Sequence, residues 1–380
     1  MIAAGARCRV CFVLPSLNGG GAERAAVHIL NTLDTRRWDR SIFLFTREGR
    51  FLDELDPSIA LASGRAASRL GRWLELRRHV RRVRPDVVMS FLSYFSVLTA
   101  ARAAAVGARV AFNQQTPISA FLSDADYVWR RRWHRHLFSI VTRRAYRLAD
   151  AIVATSAGVA DDLMRAFGVD RGRIRVVHNP VDLEALARAA GEPLPPEDVA
   201  PAVCRTIVAA GRLADAKNYP LMLDAFAALR RSTNARLIIL GEGERETEIR
   251  GQIARLGLAD AVRLCGFQTN PWKYIARADA FVLTSHYEGF GNVIVEAMAC
   301  GVPVIATASP GTREIVRDGV DGLLVERHEA GAVAAALARV LGDDDVRRRM
   351  GDAARTAARR FALPRVAAEY EALLQDLAAC

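Results

Sequence analysis

Glu288 and Glu296 stand eight positions apart, and Gly289-Phe290-Gly291 makes a glycine-flanked turn between them. Glycines let backbone N–H groups come close to a ligand. A helix starting at such a turn adds its dipole, which suits a phosphate. Carboxylates do not bind phosphate; they accept hydrogen bonds from hydroxyls. An anion site flanked by two carboxylates therefore fits a ligand carrying both kinds of group, as a sugar nucleotide does. A second constellation is Arg212-Leu213-Ala214-Asp215-Ala216-Lys217. Of the 53 Lys and Arg residues, Lys217 and Lys273 alone are lysine. In a chain that otherwise uses arginine, a lysine in this loop suggests that its compact ammonium is needed. Two cations in one loop suit an anionic ligand. The plainer alternatives are two solvated glutamates and a surface cation pair.

These residues need elements to hold them. Residues 280–284 form a short apolar run that reads as a buried parallel strand, and 303–307 reads as the next one. Between them 293–299 is helix-forming, Gly301 is placed as its C-terminal cap and Pro303 bars continuation. Glu288 thus falls where a strand ends, and Glu296 lies on the following helix. The Arg212–Lys217 loop likewise follows an apolar run at 206–210. Near the N-terminus, residues 8–14 read as a strand, 15–24 as a loop containing Gly19, Gly20 and Gly21, and 25–33 as a helix. Strand, glycine loop and helix make a phosphate-approaching turn. Arg24 stands where a nicotinamide-binding fingerprint wants its last glycine, which speaks against a dehydrogenase.

The run Glu-Gly-Phe-Gly at 288–291, followed by Glu-Ala-Met-Ala-Cys-Gly-Val-Pro-Val at 296–304, resembles the signature of family-4 retaining glycosyltransferases. Gly-Gly-Gly-Ala-Glu-Arg at 19–24 is similar to the N-terminal loop of a bacterial polysaccharide-building branch of that family. The resemblance spans nearly the whole chain and is strongest over 205–325. It implies the GT-B fold: two α/β, Rossmann-like domains with parallel sheets facing across a cleft. It also implies a nucleotide-diphosphate sugar donor, UDP-linked by preference, and transfer with retention of configuration, the departing phosphate taking the acceptor's proton.

Carried over residue by residue, it gives Glu288 the donor sugar's hydroxyls. Arg212 and Lys217 take the diphosphate, together with the N–H groups of Gly291, Asn292 and Val293 behind the Gly289-Phe290 turn. Glu296 takes the ribose, and Gly243 and Phe267 line the base. Gly20 and Gly21 complete the donor-binding set. No metal and no other cofactor is implied. Many relatives carry a histidine where this chain has Asn113-Gln114-Gln115, so that role transfers to no residue, and Gln114 and Gln115 stand in as hydrogen-bonding groups only. Asp124-Ala125-Asp126 spells the metal-binding motif of the other glycosyltransferase fold, but it stands once, in a loop, and reads as a solvated turn.

At 380 residues, with 51% hydrophobic and 25% charged residues, the chain is a folded protein long enough for two domains. The expected boundaries are 1–185, a Pro-rich linker over 186–203, 204–362, and a helix over 363–380 crossing back to the first domain. The longest uncharged run, 87–101, is too short to span a bilayer, and the apolar run 10–14 ends at Pro15 and is no signal peptide. A cytoplasmic protein is expected. Cys8 and Cys11 have redox spacing, but i and i+3 of a strand face opposite ways, and the other cysteines stand singly.

Residues 1–190 hold 30 Arg against 17 acids, net +13, while 191–380 hold 23 Lys and Arg against 25 acids, net −2. Trp129 and Trp133 are set among Arg130, Arg131, Arg132 and Arg135. Cations with aromatics describe a helix lying on an anionic membrane. Peripheral attachment to the inner face of the cytoplasmic membrane is expected, with a merely solvated basic helix as the alternative; the resemblance implies a glycan or polyprenyl-linked acceptor as partner and no nucleic acid. Other readings are a GT-B relative of different chemistry (a sugar-nucleotide epimerase or a phosphorylase) or a non-catalytic sugar-nucleotide-binding scaffold.

Overall fold

The computed structural model of the chain describes residues 7–91, 94–123, 132–199 and 204–378. They form two compact units, one built mainly from residues up to Pro180 together with the C-terminal helix, the other from Val181–Ala362.

The first unit is organised by a seven-stranded sheet: β1 (Cys8–Leu14), β2 (Trp38–Leu44), β3 (Ala60–Ser63), β4 (Val87–Ser90), β5 (Arg109–Gln114), β6 (Ala151–Ala154) and β7 (Ile174–Val176). The spatial order is β3-β2-β1-β4-β5-β6-β7 and every pairing is parallel. A parallel sheet is covered on both faces, so its strands are apolar almost throughout. In β1 the side chains of Cys11 and Val13 enter one core, and those of Cys8, Val10, Phe12 and Leu14 enter the other. Cys8 and Cys11 accordingly face opposite ways, as strand alternation requires. Cys8 is disulfide-bonded, whereas Cys11, Cys204, Cys265 and Cys300 are free thiols.

The second unit repeats the plan with six strands: β8 (Arg205–Ala210), β9 (Ala235–Leu240), β10 (Val262–Leu264), β11 (Ala280–Leu283), β12 (Val304–Thr307) and β13 (Gly322–Val325). Their order is β10-β9-β8-β11-β12-β13, again all parallel. Along β8, Ile207 and Ala209 point into one core, Val208 and Ala210 into the other.

Two segments refine the expected boundaries. The helix Leu183–Ala190 falls partly in the expected linker, but Leu186 is buried in the second unit's core and Asp182 caps it by accepting from Ala185 N at 2.9 Å. Irregular chain begins only at Gly191, and it is anchored: buried Asp198 receives the Tyr274 hydroxyl at 2.9 Å and Arg263 Nε at 2.9 Å. The C-terminal helix Leu363–Ala378 inserts Val366, Tyr370, Leu373 and Leu374 into the first unit's core, each burial worth roughly 1.5–3 kcal/mol. The Trp38 indole donates to Glu371 on that helix at 3.2 Å. Among the described residues, no helix is long and apolar enough to cross a membrane.

Candidate active site

In an open parallel sheet the ligand crevice lies at the C-terminal ends of the strands, where the strand order reverses. In the second unit that point falls between β8 and β11. The loops leaving these strands carry Arg212, Lys217, Glu288 and the turn before Glu296.

Backbone contacts fix the loops to one another. Gly211 N–H donates to Leu240 O at 2.9 Å, and Gly241 N–H to Gly266 O at 2.7 Å. Gly241 has φ +141°, and a Cβ there would stand 2.0 Å from Gly211 O, so only glycine lets these strand ends pack. The β11 loop is stitched to the β8 loop: His286 N–H donates to Ala216 O at 2.9 Å, and Thr284 Oγ1 to Lys217 O at 3.2 Å and Asn218 O at 3.0 Å.

These bonds bring Lys217 against Glu288, Nζ to Oε1 at 2.6 Å. The Ser285 hydroxyl donates to the same oxygen at 2.6 Å. Glu288 is only 8% exposed, so its charge is compensated rather than solvated. Beneath it the Tyr219 hydroxyl donates to Gly211 O at 3.0 Å; burial first, then the Glu288 charge, holds that phenol well above its usual range.

Arg212 stands apart from this pair. Its guanidinium is exposed and forks onto Glu244, Nε and Nη2 reaching Oε2 at 3.2 and 3.0 Å. Gly243 packs on the same loop, where a Cβ would lie 2.4 Å from Leu213 O. Half-buried Phe267 donates its N–H to Glu242 Oε1 at 3.3 Å.

Gly291, with φ +89°, turns the chain into the helix Asn292–Ala299, placing the first-turn N–H groups of Asn292 and Val293 at its N-terminus. The helix ends as the sequence indicates: Gly301 N–H donates to Met298 O and Val302 N–H to Ala297 O, at 2.9 and 3.1 Å. Glu296 is buried on this helix and accepts from the Trp272 indole at 3.0 Å. The Phe290 ring is buried in the core, edge-on to Phe361 with centroids 5.2 Å apart, so only the backbone of Phe290 and its neighbour Gly289 is placed to meet a ligand.

Four supporting residues carry weaker sequence signals. Ser285 lies three positions before Glu288, and Trp272 sits in a run with no glycine turn or charge pattern. Thr307 Oγ1 donates to Ser285 O at 2.7 Å. Gly311 packs so closely that a Cβ would stand 2.6 Å from Glu288 O. Long-range contacts of this kind leave no local pattern.

In the first unit, Gly20 is the N-cap of the helix Gly21–Thr32. The Glu23 carboxylate folds back over Gly20, where a Cβ would meet it at 2.3 Å, and burial raises its pKa against its own backbone hydrogen bond. Gln114 is buried and committed, its Oε1 receiving the Tyr146 hydroxyl and its amide donating to Thr116 O. Gln115 forms a reciprocal amide pair with Asn179 at 2.7 and 3.2 Å. Asn113 donates to the Tyr370 hydroxyl at 2.8 Å. Asp124, Asp126, Trp129, Arg130 and Arg131 lie outside the described residues, as do the side chains of Arg132, Trp133 and Arg135. Among the described residues, no group of three or more His, Cys, Asp or Glu side chains could hold a metal ion.

Two family models match successive parts of the chain: Glycosyltransferase Family 4 over residues 19–185 and Glycosyl transferases group 1 over 201–357. A similar curated protein is the N-acetylgalactosamine-N,N'-diacetylbacillosaminyl-diphospho-undecaprenol 4-alpha-N-acetylgalactosaminyltransferase of Campylobacter jejuni. It is 35% identical over 217 residues, a match spanning 57% of this chain and 57% of that protein. The lipopolysaccharide core biosynthesis glycosyltransferase LpsE of Rhizobium meliloti is 28% identical over 338 residues, 88% of this chain and 89% of LpsE. Among solved structures, Anabaena Alr3699/HepE in complex with UDP and glucose superposes with a TM-score of 0.79 at 22% identity, over 97% of this chain and all of that one. The chain belongs to glycosyltransferase family 4 and has the GT-B fold.

Proposed function

We propose that the protein transfers a sugar, with retention of configuration, from a UDP-sugar to a lipid-linked or growing glycan in cell-surface polysaccharide or glycoconjugate biosynthesis. The observation that carries this reading is the half-buried Lys217–Glu288 pair at the sheet's switch point, beside the N-terminus of the helix Asn292–Ala299. Glu288 accepts hydroxyls of the donor sugar, and Glu296 those of the ribose. As the bond between the anomeric carbon and the diphosphate breaks, negative charge grows on the phosphate oxygens. Lys217, Arg212 and the N–H groups of Gly291, Asn292 and Val293 stabilise that charge. The acceptor hydroxyl bonds to the anomeric carbon on the face the phosphate leaves, and its proton passes to the departing phosphate. The names of the Campylobacter and Rhizobium relatives, which act on an undecaprenol-linked saccharide and in lipopolysaccharide core synthesis, support the acceptor class. The HepE complex supports uridine as the base.

Peripheral membrane attachment belongs to the same reading. The helices Arg69–Val83 and Arg132–Leu148 of the first unit expose Arg72, Arg78, Arg81, Arg82, Arg143, Arg144 and Arg147, with Leu70 and Leu148 among them. Cations around exposed apolar side chains suit an anionic leaflet.

The test is incubation with radiolabelled UDP-sugars and a lipid-linked saccharide acceptor in excess chelator. Sugar transfer into the lipid fraction is expected. Absence of transfer from every donor overturns the reading. Loss with chelator, restored by Mn²⁺ or Mg²⁺, overturns the role given to Arg212 and Lys217.

A further inference from the structure

Glu288 has an unequal pair of oxygens. Oε1 accepts from both Lys217 Nζ and Ser285 Oγ, each at 2.6 Å, and among the described residues Oε2 has no partner. In the reading above Lys217 must also serve a diphosphate. Drawing the ammonium toward that dianion removes much of the compensation of a buried carboxylate, an expensive change if nothing else holds it. Ser285 has no such second duty. It is 1% exposed, two residues beyond β11, and its own carbonyl is held by Thr307 Oγ1 at 2.7 Å.

We propose that Ser285 is a positioning residue: it retains Oε1 of Glu288 when Lys217 turns to the diphosphate, so that Oε2 stays presented to a hydroxyl of the donor sugar. Lys217 and Ser285 thereby divide the work. The lysine answers the phosphate, and the serine keeps the sugar-reading carboxylate in one rotamer. This inference rests on the proposed donor site and makes a distinct demand on it. Loss of the Ser285 hydroxyl weakens recognition of the sugar and leaves recognition of the nucleotide alone.

The experiment measures binding of UDP, and of UDP-glucose, UDP-galactose, UDP-N-acetylglucosamine and UDP-N-acetylgalactosamine, to wild type, Ser285→Ala and Ser285→Cys by calorimetry. For the UDP-sugar that wild type prefers over UDP, Ser285→Ala is expected to weaken binding roughly tenfold, the size of a hydrogen bond to a charged group. UDP affinity should stay within about twofold. Ser285→Cys keeps a donor on the same carbon, though a larger and weaker one, and should show the same selective loss at smaller size. A merely structural serine lowers both affinities together, and equal loss, or no loss, overturns the proposal. If wild type binds neither UDP nor any UDP-sugar, the functional reading itself falls.

Discussion

The two units follow one plan and put different chemistry on it. Each has the strand order in which the first and fourth strands flank a switch point, and in each the polar residues gather in loops leaving the strands. In the first unit those at the end of β5 are neutral and spend themselves on one another: Asn113 on Tyr370, Gln114 on Tyr146, Gln115 on Asn179. Such a satisfied network fixes a shape. In the second unit the loops leaving β8 and β11 hold charges close together, with Lys217 and Glu288 in contact and Arg212 exposed nearby in sequence. Many of the first unit's cations lie instead on the exposed faces of the helices Arg69–Val83 and Arg132–Leu148. The scaffold offers a crevice in both units, and the residues decide what each does.

The comparison breaks most readily at Lys217. If the second unit's charges stabilise the leaving diphosphate, Lys217→Ala should lower kcat by roughly a hundredfold or more with the fold intact. A folded variant with full turnover removes the distinction between the units.

Gly241→Ala tests the backbone beneath those charges. The added Cβ has no room against Gly211 O, and the loss in unfolding free energy should be on the order of 3 kcal/mol. Denaturation midpoints check it, and an unchanged midpoint means the two strand ends do not pack as described.

The first unit has a titrating group of its own, away from any proposed chemistry. His79 is buried against Phe43, with Arg82 Nη2 3.3 Å from its Nδ1, while among the described residues its Nε2 has no partner. Burial, and secondarily the Arg82 charge, lowers its pKa to about 4 from 6.5. The unfolded chain therefore binds a proton that the native state refuses. Stability is complete above pH 6.5 and falls as the pH drops toward 4, by at most about 3 kcal/mol. His79→Phe should flatten that window in urea midpoints measured across it, and an unchanged slope contradicts this account of the first unit.

Per residue, the smallest effect concerns the basic helices. Changing Arg78, Arg81 and Arg144 to glutamine should weaken sedimentation with anionic vesicles by about 1 kcal/mol per residue at low salt, with less difference at high salt. Wild type left in the supernatant at low salt assigns that face to something else.

Much of this was legible in the sequence because it is local. Apolar runs mark the strands, and Gly291 and Gly301 bound the helix that carries Glu296. Lys217 stands out as one of two lysines. The rest depends on contacts distant in the chain. Nothing near Trp272 indicates that its indole reaches Glu296, twenty-four residues on. Gly311 reads as an ordinary residue of a helix start until its approach to Glu288 O is known. Phe290, in the middle of the glycine turn, looks like part of a ligand surface, but Phe361 is far away in sequence and takes its ring into the core. Nothing local shows that Leu183 and Leu186, at the start of a short helix, find their packing on the second unit.

The measurement that bears most directly on the central claim is thermal unfolding of the protein with a panel of nucleotide-diphosphate sugars, set beside Lys217→Ala. A UDP-sugar should raise the midpoint of wild type, by the equivalent of about 2.7 kcal/mol at a hundredfold excess over Kd, and raise that of Lys217→Ala far less. Protection by none of the panel, or equal protection of both proteins, would contradict the donor site at Lys217 and Glu288.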